Sequence, residues 1–285
     1  MVNALTVDVE DYFQVTAFEN NVKRSDWPSY PLRVERNTRR ILAILDEYGV
    51  KGTFFVLGWV AERIPGLVRA IHAAGHEIAC HGYDHELVYR IGPDKFRDDV
   101  RRSKTLLEDI IGDKVHGYRA PSYSITAQSL WALDILVEEG FKYDSSIFPV
   151  HHDTYGIPGA QRFPHTLMTA AGPLLEFPLT TLPLRVAWKT VQLPIAGGGY
   201  LRLLPVGIIQ RGIAAINYKE QQPAVLYFHP WEIDPGQPRI RAGLKSRFRH
   251  YLNLQHTERK IRQLLRNIQF APMNEVLSTQ GFTRA

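Results

Sequence analysis

Cysteine is almost missing from this chain: one residue in 285, Cys80. Internal disulfides are therefore impossible, and a multi-cysteine zinc site is excluded. Cys80 itself falls in an apolar run and reads as a small buried residue rather than a reactive thiol. Long apolar runs are missing too. None approaches the ~18 residues that would suggest a membrane-spanning helix. The opening stretch MVNALTVDVEDYF lacks a basic region followed by a long apolar one. It does not read as a signal peptide, so the expected location is the cytoplasm. Repeats, low-complexity tracts and nucleic-acid motifs are also wanting, so no nucleic-acid partner is expected. Nothing in the sequence speaks to oligomeric state.

What is present is a chain that is 45% apolar, enough for a sizeable core, with a net charge of +5 and a pI near 9.2. The basic excess is concentrated between Arg239 and Arg266, where nine Lys/Arg face one acidic residue, Glu258. Such a segment either contacts an anionic polymer or membrane surface, or is a solvated helical face. Leu254, Ile261, Leu265 and Ile268 fall at helical spacing, which favours a helix packed on the body with its charges in water.

Short β-rich runs alternate with helical segments. ALTVDV (4–9), GTFFVLG (52–58), HEIACHG (76–82), HGYRAP (116–121), LLEFPL (174–179) and PAVLYFHPW (223–231) read as strands. Helices are expected over NTRRILAILDEYG (37–49), PGLVRAIHAAG (65–75), residues 94–111, a stretch capped by Thr126 and closed at Gly140, and about 206–218. Alternation of this kind implies a parallel sheet with helical crossovers, either open or closed into a barrel. The Pro- and Gly-rich stretch from about 149 to 199 reads as long loops inserted into one domain.

The informative polar residues sit at the carboxyl ends of these strands. Asp8, Glu10 and Asp11 end the first, His81 and His85 follow the third, and Arg119 ends the fourth. Asp144 follows FKY, and His229 ends AVLYF. In parallel α/β folds catalytic groups gather at that edge. His81 and His85 lack the glutamate of a helical H-E-x-x-H zinc site, since Gly82 follows His81. They fit a strand-end turn instead. Two imidazoles plus a carboxylate, with positions left open, form a catalytic zinc set. Asp8 and Glu10 are two apart and share a strand face, so one acid could bind metal while the other serves as a base.

Taken in order, TVDVED, HGYDH, YRAPSYS, DSSIF and LYFHP resemble the five motifs of the polysaccharide deacetylases of carbohydrate esterase family four, the NodB-homology domain. DVEDYF, GGGYLRLLP and FHPWEID resemble the subgroup found with exosortase/PEP-CTERM exopolysaccharide loci. The resemblance covers about Leu5 to Trp231. It implies a distorted (β/α) barrel of about seven parallel strands with inserted loops over residues 1–235. A basic helical extension over 236–285 would pack on it. It implies a divalent metal, zinc first, and removal of acetyl groups from an N-acetylated glycan. By the family pattern Glu10, His81 and His85 bind the metal, with Asp11 the alternative carboxylate. Asp8 is the base, paired with Arg119. His229 is the acid, its tautomer set by Asp144. The backbone N–H of Tyr123 would hold the oxyanion, and Tyr123, Phe148, Tyr200 and Trp231 would line the substrate pocket. Gly82 stands where Ser or Thr is usual, and a looser turn is expected there. The rivals are an allantoinase-like amidohydrolase acting without metal on a small amide, a non-catalytic glycan-binding barrel, and a binder of anionic polymers.

Overall fold

A computed structural model describes residues 1–152, 154–186 and 189–282. The strands are β1 (Asn3–Val9), β2 (Thr53–Val56), β3 (Glu77–Cys80), β4 (Gly117–Tyr118), β5 (Tyr143–Asp144), β6 (His165–Thr169), β7 (Gly172–Glu176), β8 (Thr181–Val186), β9 (Lys189–Pro194), β10 (Val225–Phe228) and β11 (Phe270–Ala271). The helices are α1 (Val34–Glu47), α2 (Gly58–Arg63), α3 (Pro65–Ala73), α4 (Val88–Ile111), α5 (Trp131–Glu138), α6 (Gly198–Leu203), α7 (Val206–Ala215), α8 (Leu244–Tyr251), α9 (Leu254–Asn267) and α10 (Met273–Thr279).

Every residue of β1 is buried, as a central parallel strand covered on both faces requires. The main sheet runs β10-β1-β2-β3-β4-β5-β7-β6, with β11 also paired to β1. All neighbours along it are parallel except β6, which returns antiparallel on β7. Among the described residues the parallel run contains seven strands, with β11 an eighth parallel partner of β1, against the barrel of about seven expected. Among the described residues no strand pairing joins β10 to the far edge, so the sheet is not closed by hydrogen bonds. It is nonetheless curled. Thr180 Oγ1, just past β7, accepts the Val225 N–H of β10 (2.6 Å), although β7 and β10 lie far apart in the sheet order, and Ala4, Phe55, Ala79, Tyr143, Val225 and Tyr227 share one buried cluster. The alternate residues of the same strands, such as Leu5, Val7, Phe54, Cys80 and Leu226, belong to a larger core with the helices.

The 149–199 segment is not the set of loops its composition suggests. It builds β6 and β7, which widen the sheet, and a separate hairpin of β8 and β9. Alternation of apolar and polar residues is weak there, which hides strands from a periodicity argument. The helix expected from Thr126 begins only at Trp131, because Ser129 Oγ accepts from the Thr126 N–H and stabilises a turn first. The helix expected from 94 starts at Val88, with a break at Gly92 ahead of Pro93. The segment after 236 is mainly helical and packs on the sheet and its helices. It supplies β11 to the sheet, and Leu254, Ile261, Leu264 and Leu265 of α9 to the core.

Register explains where the polar residues go. Val7 pairs with Phe228, and Val56, Cys80 and Tyr118 lie in one row across β2, β3 and β4. One residue further along, Asp8, His81, Arg119 and His229 emerge at the same edge.

Candidate active site

Glu10, His81 and His85 each offer a ligand atom within 4.8 Å of the others, and all three are buried. His81 follows β3 directly, and its Nδ1 lies 2.8 Å from the Arg119 carbonyl oxygen. That bond takes the Nδ1 proton and leaves Nε2 as a lone pair facing the site. Burial depresses the His81 pKa to about 4, so the ring is neutral, as a metal ligand must be. Glu10 lies just beyond β1, turned by a bond from its own N–H to the Asp8 carbonyl (3.0 Å). Burial would raise its carboxyl, but His85, His229 and His81 outweigh that and hold it at about 2. Glu10 Oε2 is 2.7 Å from His85 Nε2, yet it is buried with no aligned hydrogen-bond donor. A carboxylate oxygen and an imidazole nitrogen that converge without hydrogen-bond alignment fit a shared cation. The residues present therefore suit a divalent metal.

The turn that carries the two histidines is firm. Gly82 has φ +71°, and a Cβ there would come 2.8 Å from Asp99 Oδ1. Asp99 instead accepts the Tyr83 N–H, and the Gly82 and Tyr83 carbonyls accept from Gly58 and Trp59. Glycine at this position lets a carboxylate pack under the turn, so the looser turn expected from Gly82 is not found. His85 sits at φ +53°, a strained value for a non-glycine residue. Arg24 braces it by donating to the carbonyls of Asp84 (2.7 Å) and His85 (3.2 Å).

On the facing wall, Arg119 Nη1 donates to Asp8 Oδ1 (2.7 Å) and Thr6 Oγ1 (2.8 Å). Its Nε and Nη2 donate to the Ser145 carbonyl and Oγ. Arg119 is wholly buried, so Asp8 is held by a fixed, desolvated cation. Asp8 Oδ2 lies 3.5 Å from Tyr123 Oη and 3.8 Å from His229 Nε2, and it faces the same space.

His229 Nδ1 bonds Glu232 Oε1 at 2.7 Å. Its Nε2 is 3.5 Å from Glu10 Oε1. Burial would lower the His229 pKa, but Glu10, Glu232 and Asp8 outweigh it and raise the ring to about 9. Glu232 is held in turn by Arg202 Nε (2.6 Å). Arg202 Nη1 donates to the carbonyls of Arg249 (2.9 Å), His250 (2.7 Å) and Leu252 (3.2 Å) at the end of α8. Gly197 and Gly198 let the chain into α6 cross Tyr227, since a Cβ on Gly197 would lie 1.9 Å from the Tyr227 ring.

Several expected placements need correction. Asp144 does not touch His229. Within β5, Tyr143 joins the inner cluster, so Asp144 faces the other way and meets Ser146 (2.5 Å) and its register partner Glu176. Burial raises both carboxyls above the usual carboxylate range. Glu232 occupies the position assigned to Asp144. Asp11 is not a ligand: its oxygens accept the N–H groups of Tyr12, Arg33 and Val34 at the start of α1. Burial pushes it up to about 6 against those donors. The Tyr123 N–H is spent on the Ala120 carbonyl, so it cannot hold an oxyanion. The Tyr123 ring does line the pocket, whereas Phe148 lies behind it, 5.4 Å between centroids. Tyr200 is not in the lining, though its neighbours Gly198 and Gly199 are. Trp231 lines the pocket but mainly supports it, donating to Glu10 Oε1 (3.2 Å) and stacking on His229. Glu232 and Arg202 were missed by sequence reasoning. The HPWE spacing, an acid three residues after His229, was the available signal for the first, and the GGGYLRLLP motif, which contains Arg202, was the signal for the second.

The pocket these groups share measures about 200 Å³. A larger one, about 550 Å³, opens by His116, Phe141 and Leu277 near the other end of the strands, where no such chemistry gathers.

A curled, mainly parallel sheet with acids, histidines and an arginine gathered at its carboxyl edge places the chain in the α/β class. Residues 26–139 match the family model "Polysaccharide deacetylase", and residues 145–278 match a domain of unknown function, DUF3473. These matches support a polysaccharide deacetylase domain here. The first contains His81, His85 and Arg119, the second contains Arg202, His229 and Glu232, and Asp8 and Glu10 precede both. A peptidoglycan deacetylase-like protein of Gibberella zeae is 37% identical over 110 residues, 38% of this chain and 32% of that protein. A peptidoglycan deacetylase of Helicobacter pylori is 32% identical over 114 residues, 40% of this chain and 37% of that one. The matched stretch is thus about a third of the length of these relatives. A crystal structure of a protein described as a polysaccharide deacetylase, from Mycobacterium smegmatis, aligns with a TM-score of 0.65. Identity is 23%, and the alignment covers 98% of this chain and 91% of that one, which shows a common fold.

Proposed function

We propose that this protein is a metal-dependent deacetylase acting on N-acetylated amino sugars of a polysaccharide or its precursor. The observation that carries this reading is the meeting, in one pocket, of three parts. These are the donor set Glu10–His81–His85, the Asp8–Arg119 pair and the His229–Glu232 pair. The relatives named for peptidoglycan deacetylation support the class of bond. The DVEDYF, GGGYLRLLP and FHPWEID motifs make an exopolysaccharide under construction, in the cytoplasm, the substrate we favour.

A divalent cation in such a set, zinc being our choice, supplies Lewis-acid polarisation of the acetamide carbonyl and acidification of water. The residues divide the remaining work. Asp8, with Oδ1 tied to Arg119, keeps Oδ2 free to take a proton from the attacking water. His229, with Nδ1 committed to Glu232, presents Nε2 to the sugar nitrogen and donates the proton that lets the amine leave. The positive charge on Arg119 is fixed by four bonds and cannot drift toward the carbonyl.

The first test is metal content together with acetate release from N-acetylglucosamine oligomers. About one metal per chain, with release stopped by chelation and restored by zinc, is the expected result. Bound metal without release would move the search to other amides, and no metal under replete conditions would favour the metal-free amidohydrolase. His229→Ala should keep its metal and lose roughly 10²–10⁴-fold in rate, the span of one acid–base group. Metal loss in that variant would show that its role is misassigned. Glu232→Gln should lose about 10–10²-fold on acetamides, the worth of one charge-assisted bond. Its loss on 4-nitrophenyl acetate should be much smaller, because that leaving group needs no proton. Equal losses on both would make Glu232 merely structural.

A further inference from the structure

The basic excess after residue 236 is of two kinds. In α9, Lys260 donates to the carbonyls of Leu201, Arg202 and Leu204, and Arg262 pairs with Glu47 and Glu258. Those charges serve the fold. Around α8 the case differs. Among the described residues, Arg239, Arg241, Lys245, Arg247 and Arg249 form no ion pair, and no Asp or Glu occurs between Pro235 and Thr257. The same short stretch leaves Leu244 82% and Phe248 64% exposed. Spaced i, i+4, these two share a helix face. Single exposed apolar residues are ordinary. A leucine and a phenylalanine together, ringed by unpaired cations, form the pattern of an interfacial helix.

The other side of α8 is anchored to the pocket. His250 stacks on Trp231 (4.1 Å between centroids, 16° between planes), and Trp231 stacks on His229. His250 also meets Phe18, 4.7 Å away, on the turn whose Val15, Thr16 and Ala17 line the pocket. The last carbonyls of α8 hold Arg202. Whatever α8 rests on is therefore brought close to the pocket.

We propose that α8 docks this protein on the surface of a bilayer containing anionic phospholipids. Leu244 and Phe248 enter the boundary between headgroups and acyl chains, while Arg241, Lys245, Arg247 and Arg249 meet the headgroup phosphates. A soluble polyanion would satisfy the cations but leave Leu244 and Phe248 in water, which is why the bilayer is the better fit. No helix among the described residues is long and apolar enough to cross a membrane, so this contact is peripheral. Its use, presenting the pocket to a glycan held at the membrane, rests on the deacetylase reading. The docking itself does not.

Flotation of the full chain with phosphatidylcholine vesicles, with and without phosphatidylglycerol, tests this. Binding should require the anionic lipid and weaken with salt as the screening length shortens. Lys245→Gln/Arg247→Gln should lower partitioning about 25-fold, at roughly fivefold per cation. Leu244→Ser/Phe248→Ser should lower it at least about tenfold through lost apolar burial. Both variants should retain the wild-type circular dichroism spectrum and the wild-type rate on soluble substrate, since none of the four side chains lines the pocket. No flotation with anionic vesicles at low salt would overturn the proposal. Wild-type flotation of the Leu244→Ser/Phe248→Ser variant would overturn it in favour of a soluble-polyanion surface. Because flotation needs no catalysis, either result stands apart from failure of the deacetylase reading.

Discussion

A His81→Ala variant should purify without its metal and release acetate no faster than background, the largest loss expected from any single change here. Glu10, His81 and His85 provide one donor atom each, and the reading needs all three to hold a divalent cation with room left for water and substrate. His81 is also the ligand whose orientation is fixed best, by its Nδ1 bond to the Arg119 carbonyl. Alanine removes the donor and leaves that carbonyl unpaired in a buried place, which costs about 1–3 kcal/mol of stability. The measurement is metal content by elemental analysis after zinc loading and dialysis, with thermal unfolding to show that the variant is folded. Full metal retention in a folded His81→Ala protein would remove His81 from the ligand set. His85→Ala should behave alike, and Asp11→Asn should keep its metal.

The second large effect concerns stability. Arg119→Met should destabilise the fold by about 3–5 kcal/mol, the cost of breaking a buried ion pair from one side. Arg119 is fully buried and Asp8 is 2% exposed, so losing the guanidinium strands a desolvated carboxylate. Thr6 Oγ1, the Ser145 carbonyl and Ser145 Oγ lose a donor as well. Lysine is no substitute, because one ammonium cannot reach that fork of acceptors. Denaturant unfolding should show a lower midpoint with an unchanged slope. The double variant Arg119→Met/Asp8→Leu should recover much of the loss, since removing both charges leaves none unpaired. No recovery would place the cost in the Ser145 contacts. Activity should be absent in both.

The position of the candidate site was largely legible before any coordinates. Asp8, Glu10, His81, His85, Arg119 and His229 each end or follow an apolar β-rich run, and parallel strands joined by helical crossovers present those ends at one edge. Proximity of the six follows from that rule without knowing how the strands pair. The choice among neighbours did not follow. Asp11 lies one residue past Glu10, and only the turn after β1, together with the approach of Arg33 and Val34, makes it a helix cap instead of a ligand. Asp144 failed for a different reason. Its strand, β5, is only two residues long, and the row it shares with Tyr118 and Glu176 turns its carboxylate to the face opposite Arg119.

The sequence by itself determined the class of fold, the chemical character of the edge and the apolar stripe that seats α9. These depend on local periodicity and strand polarity, which are written in consecutive residues. Tertiary structure alone decided which carboxylate serves His229, how Arg202 reaches it from α6, and that α8 keeps its cations unpaired beside two exposed apolar side chains. Those outcomes depend on register and packing between segments far apart in the chain, and no spacing rule along one strand or helix encodes them.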